Sequence, residues 1–159
     1  MLNNFPTNII QVESVEQVNI VRSLFIEYSE ELGFELDFQD FNKELEQLPG
    51  KYSAPDGLLL LAYYYDSIAG CVGLCRFEQD ICEMKRLYIK PEFRGKGIGI
   101  KLSEAVIYEA KKIGYDKMRL DTISYMKEAI GIYRKLGFYE IRKYRHNPFS
   151  DAVFMELVL

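Results

Sequence analysis

A chain of 159 residues, 48% of them hydrophobic, has the length and apolar content for one domain with a substantial core. No apolar run reaches membrane-spanning length, no basic segment followed by an apolar stretch opens the chain, and a net charge of −4 gives no basic footprint for nucleic acid. Cys71, Cys75 and Cys82 lie in apolar strand-like segments and His146 is the only histidine, so buried free thiols are expected rather than disulfides or a metal centre. The chain reads as cytoplasmic.

Taken in order, Asn8 to Val12 reads as a first strand. Ser14 with Gln17 forms a capping box, after which Val18, Val21, Phe25, Tyr28 and Leu32 recur at helical spacing until Gly33. Phe41, Leu45 and Leu48 mark a short second helix stopped by Pro49-Gly50. Leu58 to Tyr65 and Ile68 to Phe77 predict a hairpin turning at Asp66-Ser67, with Gly70 and Gly73 weakening its second strand. A long strand, Ile81 to Ile89, ends at Pro91. Ile98 to Ile113 reads as a helix closed by Gly114, Lys117 to Asp121 as a strand, and Met126 to Leu136 as a helix closed by Gly137. Tyr139 to Tyr144 and Val153 to Val158 complete the set. The pattern predicts an α/β fold: one domain over residues 1–159, with a mixed, mostly antiparallel sheet flanked by helices.

The most chemical stretch is Arg94-Gly95-Lys96-Gly97-Ile98-Gly99, between the long strand and the third helix. Alternate glycines leave amide N–H groups uncovered, and the helix start adds further free donors and a positive dipole end. Such a turn suits a phosphate or pyrophosphate, with Arg94 and Lys96 supplying positive charge. It is not a dinucleotide fingerprint, because the third glycine position is Ile100 (although Asp121 stands about where the ribose-binding acid would). No nucleotide-triphosphate loop occurs. Charge is divided along the chain: residues 1–80 carry a balance of −10 and residues 81–159 one of +6. The acidic excess clusters at Glu27, Glu30, Glu31, Glu35, Asp37 and Asp40, which suggests an anionic ligand on one side and a cationic one on the other.

Three segments in this order resemble the GNAT-type N-acetyltransferase superfamily. They are the strand Cys82-Glu83-Met84-Lys85-Arg86-Leu87-Tyr88-Ile89 with Pro91 and the glycine turn; the strand Met118 to Asp121; and Ala129-Ile130-Gly131-Ile132-Tyr133-Arg134-Lys135-Leu136-Gly137-Phe138. The resemblance implies an acetyl-CoA N-acyltransferase fold and transfer of acetyl from acetyl-CoA, a co-substrate, to a primary amine in a ternary complex, without a metal. It implies that the amides of Arg94, Gly95, Lys96, Gly97, Ile98 and Gly99 hold the pyrophosphate. The edge of Leu87, Tyr88 and Ile89 would hold the pantetheine arm and offer a donor to the thioester oxygen. The strand containing Asp121 would splay away to open a cleft, and Met126, Ala129 and Tyr133, on one helical face, would turn toward it. Met126 stands where many relatives have Asn. C-terminal strands of this kind often pair between subunits in relatives, so the resemblance leaves a homodimer open while the sequence does not give the oligomeric state.

The chemistry sets its own requirements. An alkylamine with a pKa of about 10.4 is protonated at pH 7, so attack on a thioester needs roughly 4–5 kcal/mol of deprotonation and is helped by a base. The oxyanion needs a fixed N–H donor, and the departing thiolate a proton. Tyr133, at the signature tyrosine position, is the candidate acid. Glu83 is the candidate base through water, with an ion pair to Lys85 or Arg119 as its structural alternative; Asp121 is a second candidate. Two further functions remain open: a non-catalytic acyl-CoA-binding module, and a nucleotide-linked oxidoreductase, which the missing glycine disfavours. The acidic cluster favours a cationic small amine or peptide amine as acceptor.

Overall fold

The structure is a computed structural model that describes residues 5–33, 40–124 and 126–159. Seven strands form one sheet in the order β1-β2-β3-β4-β5-β7-β6: β1 Thr7–Gln11, β2 Leu58–Tyr64, β3 Ser67–Glu78, β4 Ile81–Ile89, β5 Lys117–Ile123, β6 Tyr139–Ile141 and β7 Ala152–Val158. All neighbouring pairs are antiparallel except β4 and β5. The parallel pair is reached through α3 (Ile98–Ile113), the crossover helix such a connection requires.

Two helical layers cover the sheet. On one face, α1 (Val15–Leu32) starts at Ser14, whose Oγ accepts from the Gln17 amide at 3.2 Å while Gln17 Oε1 accepts from the Ser14 amide at 3.1 Å. The helix buries Val21, Leu24 and Phe25 against Leu59, Leu61 and Cys71, joined by Phe41 of α2 (Phe41–Gln47) and Tyr52 of the following 3-10 turn. Gly73 is needed here: a Cβ would lie 2.7 Å from the Tyr52 ring, so the glycines of β3 give close approach where the sequence suggested only weakness. On the opposite face, Ile98, Leu102, Val106 and Ala110 of α3 pack with Tyr133 of α4 (Lys127–Lys135) against Leu58, Leu60, Met84, Met118 and Leu120. Both faces of the central strands are therefore covered, and their near-continuous apolar runs follow from that. No helix among the described residues is long and apolar enough to cross a membrane.

The predicted strand Tyr139 to Tyr144 is shorter than expected, ending at Ile141. The residues that follow turn back over the sheet, carrying Tyr144, Arg145 and Asn147 to its α1 side.

Candidate active site

β4 and β5 pair only at Ile81 with Lys117, Cys82 with Met118 and Glu83 with Arg119. Beyond Glu83 they separate, because β5 keeps its ladder with β7 along its whole length while β4 stays with β3. The opening is a cleft with Met84 to Leu87 on one wall and Leu120 to Ile123 on the other. Tyr28 and Leu32 of α1, Met126, Ala129 and Tyr133 from α4 and the residue before it, and Asn147 complete the lining.

At the end of β4 the chain passes through a 3-10 turn at Pro91–Phe93 into the glycine turn. Gly95 and Gly97 have φ of 79° and 77°, in the left-handed region, and a Cβ built on either would meet nothing within 4 Å. The space over the turn is open to a ligand. No side chain caps α3 at Gly97, and among the described residues none of the amides of residues 95 to 100 donates a hydrogen bond within the protein. A row of free donors at a helix N-terminus fits a pyrophosphate. The flanking cations are less free than the sequence suggested. Arg94 binds Glu31 of α1 at 2.6 Å and the Ile89 carbonyl at 3.0 Å, and Lys96 lies 4.9 Å over the Tyr64 ring.

The acetyltransferase (GNAT) family model matches residues 18–138. An uncharacterised N-acetyltransferase of Dictyostelium discoideum is 36% identical, covering 93% of this chain and 97% of its own. Another, from Schizosaccharomyces pombe, is 36% identical over 96% of both. The solved acetyltransferase of Streptococcus agalactiae superposes with a TM-score of 0.78 at 20% identity, covering 97% of this chain and 99% of its own.

The chain belongs to the GNAT acetyltransferase family. It is an acetyl-CoA-dependent N-acetyltransferase, and its fold is that of the family.

Within this acetyltransferase, Leu87, Met126, Ala129 and Tyr133 share the cleft lining, as the sequence expected. Tyr88 turns its side chain away, packing on Tyr28 with ring centroids 5.8 Å apart, and burial with the nearby Glu31 raises its pKa to about 12. Tyr133 is buried against Phe138, and burial, with Tyr28 and Asp121 nearby, pushes its phenol well above the ordinary tyrosine value. Glu83 is not in the lining. Its carboxylate accepts from Tyr144 Oη at 2.9 Å and from Arg145 Nη1 at 2.8 Å. Arg119 instead binds Glu156, its ladder partner on β7, at 2.8 Å. Asp121 does line the cleft and accepts from Asn147 Nδ2 at 3.2 Å. Of the acidic cluster, Glu27 pairs with Lys90 at 3.4 Å, Glu31 with Arg94, and Glu30 and Asp40 are exposed. Glu35 and Asp37 lie outside the described residues.

Sequence reasoning missed a bulge. Cys71 pairs with Tyr88 and Gly73 with Lys85, so β4 spends one residue more than β3 across this step. Arg86 takes up the excess at φ 60°. Its guanidinium is buried, donates from Nε and Nη2 to Glu44 at 3.0 and 3.2 Å, and stands 5.2 Å over the Phe41 ring. Tyr52 Oη donates to the same carboxylate at 3.0 Å and Lys51 pairs with it at 2.9 Å. Burial raises the Glu44 pKa, but Arg86 and Lys51 outweigh burial and bring it from 4.5 to about 2. The signal available in sequence was a run of charges, Glu83, Lys85 and Arg86, inside a strand flanked on both sides.

Glu44→Ala strands the Arg86 charge in the core and is expected to cost about 3–5 kcal/mol, read from urea unfolding. Because the folded-state pKa is depressed, the wild-type contribution is present above pH 4.5 and declines as pH falls toward 2. A Glu44→Ala protein with wild-type stability at neutral pH would show that α2 does not hold the bulge.

Proposed function

We propose that this acetyltransferase moves acetyl from acetyl-CoA to a primary amine by direct attack in a ternary complex, as a single catalytic domain. The observation that carries the reading is the cleft opened where the β4–β5 ladder ends at Glu83, with the uncapped glycine turn at the end of β4. An acetyltransferase of Bacillus subtilis with the same fold (TM-score 0.69, 21% identical) has been solved in complex with CoA, which supports placing the donor there.

In this reading the amides of residues 95–100 hold the pyrophosphate, and the pantetheine arm runs along β4, using the edge at Leu87 to Ile89. Met126 and Ala129 line its path with apolar surface, and a β4 amide donates to the thioester oxygen. The acceptor nitrogen attacks the carbonyl carbon, the C–N bond forms, and charge collects on the oxygen facing that amide. Collapse breaks the C–S bond, and Tyr133 gives its proton to the departing thiolate. The raised pKa keeps the phenol protonated at rest, and burial makes the thiolate correspondingly basic, so the transfer stays feasible. Glu83 could contribute as a base only through water, since Arg145 and Tyr144 hold its oxygens.

Bovine thialysine N-epsilon-acetyltransferase, 33% identical over 59% of this chain and 51% of its own, acts on a primary amine, and this supports the acceptor class. Glu30 and Asp40 face solvent, favouring a cationic acceptor. The test is a panel of amines with thiol release as the signal, followed by initial rates with both substrates varied. Intersecting double-reciprocal lines on a cationic primary amine are expected. Parallel lines would replace direct attack with an acetyl-enzyme route, and acetyl-CoA binding without turnover on any amine would leave the acyl-CoA-binding module.

A further inference from the structure

We propose that Lys85 is the base that takes the proton from the acceptor ammonium. The inference rests on the acetyl-transfer reading above and adds the residue that reading lacks.

Strand alternation would place Lys85 and Arg86 on opposite faces of β4. The bulge at Arg86 changes this. Met84 packs in the core on the α3 side, whereas Arg86 reaches Glu44 and Phe41 on the α1–α2 side. Lys85, between them, alternates with Met84 and so joins Arg86 on the α1–α2 side. Asp121 alternates in the same way with Leu120, which is in the α3-side core, and meets Asn147. Lys85 and Asp121 therefore stand across the opening from each other, on the side away from α3 and its glycine turn. Both line the cleft.

Lys85 is only 6% exposed, yet among the described residues no hydrogen bond or ion pair reaches its ammonium. An ammonium this poorly solvated and unpaired is costly to keep charged, and the usual relief is loss of the proton; its nitrogen is not sealed from solvent, so it stays open to the cleft. The groups around it reinforce that outcome. Burial first, then the charges of Arg86 and Lys51, lower the Lys85 pKa from 10.5 to about 8, against the opposing pull of Glu83 and Asp121. The Cys75 thiol, held neutral by burial, the phenols of Tyr28 and Tyr133, and Tyr144, which donates to Glu83, also face this region. At pH 7 roughly one molecule in ten carries Lys85 neutral.

A permanent cation at this position would repel an ammonium acceptor, whereas a neutral amine accepts its proton. Asp121 opposite attracts the incoming charge. Lys85 Nζ takes one proton from R–NH3⁺, leaving R–NH2 with the lone pair that forms the C–N bond. On C–S cleavage Tyr133 protonates the thiolate, the second nitrogen proton passes through water to restore the phenol, and CoA leaves as the thiol. Lys85 then returns its proton to solvent, so each turnover releases one proton net.

The experiment uses the fastest acceptor among putrescine, L-lysine and thialysine, with Lys85→Arg and Lys85→Met compared at each pH. In the wild type, kcat/KM should rise to a plateau beginning near pH 8. Both variants should lose at least about 100-fold in kcat at pH 7.5 and keep rising toward the acceptor's own pKa. Acetyl-CoA affinity, measured by calorimetry, should stay within about threefold, which separates the role from a structural one. Arg retains charge without basicity, so near-normal turnover of Lys85→Arg would overturn the proposal in favour of charge alone. Unchanged pH profiles in Lys85→Met would overturn it too. Independently of variant folding, the lysine Cε resonance that disappears in Lys85→Arg should titrate near 8 in the wild type; a midpoint above about 9.5 overturns the proposal. If the wild type turns over none of the three amines but transfers to others, the same comparison is made on those. Absence of transfer to any amine would remove the parent reading as well.

Discussion

Gly97→Val is expected to remove acetyl-CoA binding while leaving the protein folded. Gly97 sits at φ 77° directly before α3, and nothing in the protein occupies the space its side chain would enter. A non-glycine residue there pays roughly 1–2 kcal/mol for the left-handed conformation, and a β-branched one pays more, so the turn shifts and its amides lose their common direction. Hydrogen bonds to a charged group contribute about 1.5–3 kcal/mol each. Losing two of them weakens binding by roughly 10²–10⁴-fold. The fold survives because α3 is held by Ile98, Leu102, Val106 and Ala110 rather than by its first turn. Gly97→Asn provides the companion measurement. Asn tolerates the conformation, so a binding loss in that variant isolates occupation of the ligand's space from backbone strain. Calorimetry that returns wild-type affinity for a folded Gly97→Val protein would contradict the assignment of the turn.

Tyr133→Phe should lower kcat by about 10²–10⁴-fold and leave acetyl-CoA affinity nearly unchanged. The ring stays against Phe138 and only the proton is lost, so packing is preserved. Because α4 begins at Lys127, Met126 is its N-cap, and Ala129 and Tyr133 follow within two turns on the cleft side. The proposed acid thus stands on the same element that lines the proposed pantetheine path. Pre-steady-state measurement of thiol release keeps the comparison on chemistry rather than product departure. A Phe variant with wild-type single-turnover rates would assign Tyr133 to packing alone.

Local rules made much of this legible. β4 from Ile81 to Ile89 and α3 from Ile98 to Ile113 have the predicted bounds, because turn residues and a glycine stop mark both. Ala129 and Tyr133 share the cleft side of α4 as 3.6-residue spacing implies, and Met126, which the sequence counts as the first helical residue, joins them from the N-cap. What sequence could not supply depends on residues far apart. Glu83 is the candidate base in the sequence, with Lys85 or Arg119 as the partner of its structural alternative, but its partners come from the loop after β6, about 60 positions on, while Arg119 has a carboxylate in Glu156. Lys85 appears in the sequence only as a possible partner of Glu83, because strict alternation separates it from Arg86, and only the bulge brings the two to one face. Lys85 and Arg86 of this strand, with Asp121 opposite, give the cleft its charged wall.

The most direct test is a single turnover with acetyl-CoA labelled in the acetyl group, enzyme in excess, and the best amine from the panel. Label is expected to move to the amine nitrogen with one equivalent of free thiol, at a rate lowered by Tyr133→Phe and by Lys85→Arg. Label that remains on bound acetyl-CoA in the presence of every amine tested would contradict it.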